Sequence, residues 1–434
     1  MAFYKKTIRD WDIRGKRVLM RADYNVPVDL GKITDDYRIQ QSLPTINYIL
    51  EQGASLIIMS HLGRPKGPGD KNASLAPVAK RLSQLLDKDV QFAPDCVGEQ
   101  VKKLADKLGT GQIMLLENLR FHIEEEKNDK NFAKQIVEDT GAEIFVQDGF
   151  GVVHRAHAST EAVAKLLPAL AGFLLEKEVD TITRVMEEPA RPFVAVVGGA
   201  KIDDKIDILN RLIDMADCIA VAGAMANNFL LAEGHRLGKS LVDKKDLPLA
   251  KKILAKARRA EKQRNFNFLV PVDAVVSTEV DGTKPTHIVD LSSNSLADIE
   301  SYPKKPERQA YGVAGDEQVL DIGPMSAYQI AGAIRLSNTV VWNGTCGVTE
   351  TKGIAGAAAP FAHGTHIVTE AMIGVSNKHQ NKPFTLVGGG DTVAYVEQEG
   401  LINDFGHVST GGGASLELMS GHQLPGIEVL WNKD

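Results

Sequence analysis

Short apolar runs rich in valine and isoleucine recur along the chain, and a loop rich in glycine or charge ends each of them. In the first half they are Arg17–Pro27, Ser55–Gly67, Gln112–Phe121 and Glu143–Ser159. In the second half they are Pro192–Lys201, Asp217–Ala226, Asn338–Gly347, Pro383–Thr392 and His407–Ser415. Fully apolar strands that alternate with helices are typical of parallel sheets covered on both faces. The sequence therefore predicts an α/β fold with two doubly wound, Rossmann-like parallel-sheet domains.

Helical patterns separate these runs. Ser74–Leu86 has Ser74 as an N-cap candidate, and Lys205–Ala216 is a second such stretch. A charged helix is predicted at Glu176–Glu188, and Pro189 lies directly after it. We interpret 176–190 as a connecting, hinge-like helix between a domain at 1–175 and one at 191–414. We interpret the polar segment Ser292–Gln318 as a surface excursion, with a binding role as the alternative.

Composition excludes several classes of protein. The 434 residues carry a net charge of −6, which does not fit a nucleic-acid coat. Cys96, Cys218 and Cys346 lie far apart, a pattern that indicates neither a disulfide framework nor a cysteine-based zinc site and that fits a reducing compartment. The first residues contain no apolar signal region, and no apolar run approaches 18 residues. We therefore expect a cytoplasmic protein without nucleic-acid or membrane partners.

Glycine-rich loops in the second half predict a nucleotide site. The strings GGAK, GGGDT and GGGAS each follow an apolar run and precede a helical pattern. Glycine there lets backbone N–H groups approach phosphate, and the following helix adds its positive N-terminus. Lys201 and Lys205 lie within reach of the same sheet edge, although either could be a solvated surface lysine. Asp391 could be an N-cap or, beside a polyphosphate, a ligand of Mg²⁺, with Thr392 facing the same phosphates.

Two other functions remain as alternatives. A nicotinamide-dependent oxidoreductase needs G-x-G-x-x-G after a strand and an acidic residue about 20 residues later. No strand-linked motif of that kind is found, and Cys218–Gly223, at the expected distance, contains no acid. A non-catalytic phosphate-binding protein would not need both an aspartate-bearing glycine loop and paired lysines.

Arginine and histidine recur at the ends of the first-half runs. The positions are Arg38, His61, Arg64, Arg120, His122, His154, Arg155 and His157. One such arginine alone would be read as a surface ion pair, but loops that converge at one sheet edge would form a cationic pocket for carboxylate or phosphate. Asp23 and Asn25 add an acceptor and an amide that suit a hydroxyl group on that ligand. We discount His154 and His157 as a metal pair, because Arg155 between them would repel a cation.

Nine strings together resemble the phosphoglycerate kinase family. They are RADYNVP, ITDDYRI, SHLGRPKG, ENLRFH, HRAHAS, GGAKIDDKI, WNGTCGVTE, GGGDT and HVSTGGGASLELMSG, and they occur in the family's order over essentially the whole chain. The resemblance implies a glycolytic phosphotransferase with a cleft between two domains. It implies reversible, Mg²⁺-dependent transfer between 1,3-bisphosphoglycerate and ADP, giving 3-phosphoglycerate and ATP. It also implies a monomer whose C-terminal tail, 415–434, belongs to the first domain.

The family's site residues transfer to matching positions of this sequence. The substrate residues are then Asp23, Asn25, Arg38, His61, Arg64, Arg120 and Arg155. The nucleotide and phosphate residues are Lys201, Lys205, Asn343, Glu350, Gly389, Gly390, Asp391 and Thr392, with Asp391 as the Mg²⁺ ligand. The sequence departs from the family at two places. The family usually has phenylalanine where this chain has Tyr24, so the ring hydroxyl needs a hydrogen-bond partner. It usually has proline where this chain has Thr345-Cys346, which puts the affinity for the nucleotide in question.

A mechanism follows from the chemistry of phosphoryl transfer, which needs alignment and charge neutralisation rather than covalent help. We expect Arg38 and Lys201 to flank the transferred group, and the backbone N–H groups of Gly390 and Gly412 to complete the catalytic set. The acceptor carboxylate is already ionised at neutral pH, so no general base is needed. The histidines are therefore candidates for binding or structural roles, and chemistry should wait for domain closure.

Overall fold

The computed structural model describes residues 3–29, 31–67, 69–292, 312–354, 358–374 and 382–433. Contacts divide the chain into two units. Unit 1 comprises Met1–Arg184, Gly413–Leu418 and His422–Asp434, and unit 2 comprises Val185–Gly412 and Met419–Gly421. Most of the predicted excursion Ser292–Gln318 lies outside the described residues.

Unit 1 is built on a six-stranded parallel sheet. The strands of unit 1, inside and outside this sheet, are β1 (Arg17–Arg21), β2 (Val28–Asp29), β3 (Lys32–Ile33), β4 (Ser55–Met59), β5 (Val90–Phe92), β6 (Ile113–Leu115), β7 (Ile144–Gln147) and β8 (Ala169–Ala171). The order in the sheet is β5-β6-β4-β1-β7-β8, and β2 and β3 form a separate antiparallel ribbon. Central strands β1 and β4 are buried almost throughout, which is why they read as continuous apolar runs.

Amphipathic helices cover this sheet. They are α1 (Tyr37–Glu51), α2 (Ala76–Leu86), α3 (Glu99–Lys107), α4 (Lys130–Thr140) and α5 (Phe173–Glu187). The apolar faces of α1 and α2 pack on β1 and β4, with Ile39, Ile46, Val78 and Leu82 in the core. Helix α2 begins two residues after the predicted N-cap Ser74, and its N-cap is Leu75. The Ser74 hydroxyl donates to Glu117 Oε2 at 2.7 Å and accepts the N–H of Ala76 at 3.2 Å.

The predicted connecting helix begins earlier than its charge pattern indicated. Helix α5 starts at Phe173, because the apolar residues Phe173–Leu175 complete its first turn. It ends at Glu187, before Pro189, and the division between the two units falls inside it, at Arg184.

Unit 2 repeats the same architecture. Its strands are β9 (Phe193–Val197), β10 (Cys218–Val221), β11 (Arg236–Leu237), β12 (Asn267–Leu269), β13 (Asp273–Ser277), β14 (His287–Asp290), β15 (Gly312–Val313), β16 (Gln318–Ile322), β17 (Thr339–Asn343), β18 (Phe384–Gly388) and β19 (His407–Val408). The parallel main sheet has the order β12-β10-β9-β17-β18-β19. Strands β14, β13 and β16 form a second, antiparallel sheet.

The remaining helices follow the strands of unit 2 or the end of the chain. They are α6 (Ile206–Met215), α7 (Gly223–Ala232), α8 (Leu247–Gln263), α9 (Pro324–Arg335), α10 (His363–Ile373), α11 (Gly390–Gln398), α12 (Gly413–Ser420) and α13 (Pro425–Glu428). Among the described helices, none is both long enough and apolar enough to cross a membrane.

Candidate active site

The C-terminal edge of the unit 1 sheet gathers polar side chains from four loops. Asp23 follows β1, His61 follows β4, Arg120 follows β6 and Arg155 follows β7. Neighbouring parallel strands end on the same side, so residues far apart in sequence meet there.

Asp23 and Asn25 organise this edge. Arg38, on the first turn of α1, donates from Nη1 to Asp23 Oδ2 at 2.8 Å. The other oxygen of Asp23 accepts the N–H of Asn25 at 3.1 Å, and Asn25 Oδ1 accepts the N–H of Gly63 at 2.8 Å. Burial opposes ionisation of Asp23, but the nearby charges of Arg38 and Arg21 lower its pKa below the usual range. The carboxylate therefore holds Arg38 in place as a fixed anion.

The three arginines on the loops differ in their surroundings. Arg120 donates from Nη1 to the carbonyl of Gly63 at 2.7 Å and pairs with Glu126 at 3.0 Å. Arg155 is exposed and donates from Nε to His154 Nε2 at 3.1 Å. Burial lowers the pKa of Arg120, and the charge of Arg155 lowers it further. Arg64 is exposed at the same edge.

Three histidines of this edge, His61, His154 and His157, are neutral near pH 7, and His122 differs from them. Burial holds the pKa of His61 well below its usual value, and the Arg21 guanidinium opposes its protonation. Burial and neighbouring arginines lower the pKa of His154 and of His157 to about 4. His122 hydrogen-bonds Asp95 at 2.7 Å, and this bond raises its pKa. The positive charge of the edge therefore comes from arginine.

A buried layer beneath the edge was missed by sequence reasoning. Arg21, the last residue of β1, is 1 % exposed and donates from Nε to Ser159 Oγ at 2.7 Å. The Ser159 hydroxyl donates to Glu125 Oε1 at 2.6 Å, and Arg21 Nη2 lies 3.3 Å from His61 Nδ1. The available signal was a charged residue, Arg21, ending an otherwise apolar strand.

In unit 2 the glycine loops touch backbone to backbone. A Cβ atom added at Gly198, after β9, would lie 2.2 Å from the carbonyl oxygen of Thr345, after β17. Gly223 has φ +63°, and a Cβ atom there would lie 2.7 Å from the N of Gly199. No other residue fits these positions without moving the backbone. The N–H groups of both glycines bind the end of β17 and the chain after it, since Gly198 donates to the carbonyl of Asn343 at 2.9 Å and Gly223 to that of Cys346 at 3.1 Å.

Two predicted polar residues meet between these loops. Lys205 donates a hydrogen bond to Asn343 Oδ1. Burial lowers the pKa of Lys205 to about 8, although the negative charges of Asp204 and Asp391 favour its protonated form. Asn343 Nδ2 is buried and has no hydrogen-bond partner among the described residues. An anion would supply the acceptor that this amide needs.

The GGGDT loop runs into α11. The N-cap of this helix is Gly389, so the N-cap interpretation of Asp391 is wrong, and its exposed carboxylate lies in the first turn. Thr392 is buried, and its hydroxyl oxygen accepts the N–H of Gly344 at 2.7 Å, which ties this loop to the one after β17. Gly412, with φ +51°, is the last residue of unit 2 before α12.

A cavity of about 200 Å³ opens beside these loops in unit 2. Leu230, Leu241, Pro271 and Leu320 line it together with the polar residues Glu350 and Asp391 at its margin, among others. Leu241 is 63 % exposed, which is unusual for leucine. The apolar wall was not predicted, because its members come from scattered elements and follow no local pattern. Glu350 is exposed, and so is Lys201 on the neighbouring loop.

Comparisons with known proteins now identify the family. The sequence model of the family described as "Phosphoglycerate kinase" matches residues 8–422. The chain belongs to the phosphoglycerate kinase family. The prediction from the nine strings is thereby confirmed, as are the parallel α/β fold and the phosphotransferase function, since the known reaction of phosphoglycerate kinases is a glycolytic phosphoryl transfer.

Individual relatives cover the whole chain. The "Phosphoglycerate kinase" of Moorella thermoacetica is 44 % identical over 429 residues, which are 99 % of this chain and 100 % of that protein. The relative of the same name from Pelotomaculum thermopropionicum is 43 % identical with the same coverage. The solved phosphoglycerate kinase of Coxiella burnetii has a TM-score of 0.77 at 34 % identity, covering 98 % of each chain. Phosphoglycerate kinases act on two small molecules, a nucleotide and a phosphoglycerate, and depend on ATP.

Proposed function

We propose that the arginine edge of unit 1 binds 3-phosphoglycerate or 1,3-bisphosphoglycerate, and that the glycine loops and cavity of unit 2 bind ATP or ADP. The observation that carries this assignment is the contrast between the two edges. Fixed guanidinium groups match phosphate and carboxylate oxygens, whereas backbone N–H groups beside an apolar cavity suit a phosphate chain with a flat base.

In unit 1, Arg38, Arg64, Arg120 and Arg155 would hold the anionic groups of phosphoglycerate. Asp23 and Asn25 would meet its hydroxyl group, and Asp23 also aims Arg38 through the 2.8 Å bond. His61, neutral at pH 7, would contribute a hydrogen bond without a charge. No side chain needs to remove a proton, because the acceptor is a carboxylate.

In unit 2, the base would occupy the cavity lined by Leu241 and Leu320, with Glu350 at its margin near the sugar. The phosphates would meet Lys205, Asn343 and the N–H groups of Gly389 and Gly390, with Thr392 bracing the loop. The donor set fits Mg²⁺, since Asp391 offers an exposed carboxylate beside the cavity and phosphate oxygens would supply the rest. When bound with the nucleotide, Mg²⁺ neutralises phosphate charge.

Transfer then requires the reactive oxygens of both ligands in line with the moving phosphoryl group. Arg38 and Lys201 would stabilise its charge from opposite sides, with the N–H groups of Gly390 and Gly412 adding donors. We include in the proposal that α5 acts as the hinge and that water is excluded before transfer. The proposal also includes that the protein is a monomer and that it is cytoplasmic.

The test is a coupled assay with ATP and 3-phosphoglycerate, run with and without Mg²⁺. We expect turnover that needs both substrates and the ion, and the same enzyme should run in reverse from 1,3-bisphosphoglycerate and ADP. Absence of turnover at saturating substrates would contradict the proposal. Small-angle scattering with and without both ligands tests the hinge, because equal radii of gyration would rule out closure, and light scattering measures the oligomeric state.

A further inference from the structure

Asp148 is a buried acidic residue that the proposed reaction does not use. It follows the last residue of β7, is 1 % exposed, and its N–H donates to the carbonyl of Arg21 at 2.9 Å. It therefore lies at the root of the loop that carries His154 and Arg155. Burial raises its pKa to about 7, whereas hydrogen bonds with Thr45, Leu175 and Leu174 favour the ionised form.

The carboxyl group of Asp148 replaces an N-cap side chain for α5. Its Oδ1 accepts the N–H of Leu174 at 2.9 Å and that of Leu175 at 3.3 Å. The hydroxyl oxygen of Thr45, on α1, accepts the N–H of Phe173 at 2.9 Å. The first N–H groups of a helix have no partner within it. Here two other elements of unit 1 supply those partners.

The residue at the N-cap position of α5 supports capping by Asp148. Gly172 leaves that position without a side chain, and a Cβ atom there would lie 2.1 Å from Asp148 Oδ1. An ordinary capping residue, such as serine, would occupy the same space. The chain thus takes its cap from the end of β7 instead of from the preceding residue.

We propose that Asp148 is a positioning residue for phosphoryl transfer, because it fixes the first turn of α5 to the root of the Arg155 loop. Helix α5 carries the chain from unit 1 into unit 2, so any shift of its first turn relative to β7 changes how the arginine loop and the second unit are aligned. Small misalignment of reacting groups costs far more in rate than in binding. This inference rests on the proposed function for its kinetic readout.

Three variants separate positioning from simple helix capping. Asp148→Ala removes the cap and the side-chain link to the end of β7, while the backbone bond from the N–H of Gly172 to the carbonyl of Gln147 remains. Asp148→Asn keeps an oxygen that can accept both N–H groups. The double variant Asp148→Gly/Gly172→Ser restores a cap within the α5 segment but not the side-chain link, and glycine at 148 removes the Cβ that would lie 2.8 Å from a Cβ at 172.

We expect kcat of Asp148→Ala to fall about tenfold while KM for ATP stays within about twofold. Asp148→Asn should return kcat to within about threefold of wild type. The double variant should regain the thermal stability lost in Asp148→Ala but keep the low kcat. A double variant with fully restored kcat would show a capping role only and overturn the proposal, as would an unchanged kcat in Asp148→Ala.

A second measurement does not depend on activity. Hydrogen exchange in Asp148→Ala should accelerate at Leu174, at Leu175 and in the loop 149–157, and the double variant should restore protection in α5 alone. If wild type lacks turnover but exchange follows this pattern, the proposed function fails and the link stands. Exchange confined to α5 in Asp148→Ala would overturn the link. Should Asp148→Ala not fold, Thr45→Val takes its place, with kcat expected to fall about threefold and an unchanged kcat counting against the proposal.

Discussion

The two sheet edges that we propose as anion sites are built in different ways. In unit 1 the charged side chains are fixed by one another, as Arg38 is by Asp23 and Arg21 by Ser159 and Glu125. In the proposed site of unit 2, the backbones of the loops after β9 and β17 touch, and side chains are excluded there. The first edge should therefore be sensitive to the loss of a side chain, and the second to the gain of one.

Removal of Arg38 should have the largest effect. In Arg38→Ala we expect kcat to fall by about 10² to 10³ with a much smaller change in KM, because the guanidinium group would act on the transferred group in the transition state. Steady-state kinetics in both substrates measures this. If the edge of unit 1 depends on single side chains, as the contrast with unit 2 predicts, the loss of this one side chain is enough to lower kcat.

Arg81→Ala is the matched control, since Arg81 forms a comparable pair with Asp36 at 2.7 Å on the surface of the same unit. It should keep kcat close to wild type. A kcat of Arg38→Ala within about threefold of wild type would show that Arg38 does not stabilise the transferred group in the transition state.

Addition of one methyl group at Gly223 should have the next largest effect. Its positive φ and the 2.7 Å approach to Gly199 N mean that Gly223→Ala must displace the loop after β9. We expect KM for ATP to rise about tenfold and KM for 3-phosphoglycerate to stay unchanged.

Gly332→Ala provides the comparison, because a Cβ atom at this position of α9 meets no atom within 4 Å. It should leave both KM values unchanged. Equal effects of the two substitutions, or a rise in KM for phosphoglycerate in Gly223→Ala, would contradict the assignment of the nucleotide to unit 2.

Lys205 should make nucleotide binding depend on pH. Burial lowers its pKa to about 8, so its positive charge is present below that pH and is lost above it. We expect kcat/KM for ATP to fall about fivefold between pH 7 and pH 9. His61, His154 and His157 of unit 1, whose pKa values are lowered, add no such dependence.

Lys205→Arg keeps its charge at every accessible pH, so the fall between pH 7 and pH 9 should disappear even if the absolute kcat/KM is lower. A fall of the same size in Lys205→Arg would assign the pH dependence to another group.

The fold could be predicted from the sequence because central parallel strands are buried on both faces. Strands such as Ser55–Met59 and Thr339–Asn343 are buried from end to end and apolar in their central residues. Short edge strands such as Val90–Phe92 were missed, because three half-buried residues carry too little pattern. The roles assigned to the site residues stay predictions.

The sequence alone does not show which distant residues contact one another. Asp148 and Gly172 make sense only together, and neither has a local signal for the other. The hydroxyl of Tyr24 has its partner in Ser42 Oγ at 2.9 Å, which a chain without coordinates does not show. Long-range partners of this kind depend on topology rather than on spacing.

The smallest effect is expected at a charged pair of unit 1 that does not belong to the proposed site. His122 bonds Asp95 at 2.7 Å, which raises the pKa of His122. A raised pKa in the folded state means that the pair stabilises fully below about pH 6.5 and that this contribution fades as pH rises through the folded pKa. Because both side chains are partly exposed, we expect Asp95→Asn to lower the free energy of unfolding by no more than about 1 kcal/mol at pH 5.5.

At pH 8.5 the same substitution should cost less, and kcat should remain at the wild-type value at both pH values. Urea denaturation measures the free energy, with Lys103→Ala as the control, because Lys103 and Glu99 form an exposed pair that contains no histidine. A loss of kcat in Asp95→Asn would extend the proposed site to this pair. A cost that grew with pH would instead mean that folding lowers the pKa of His122.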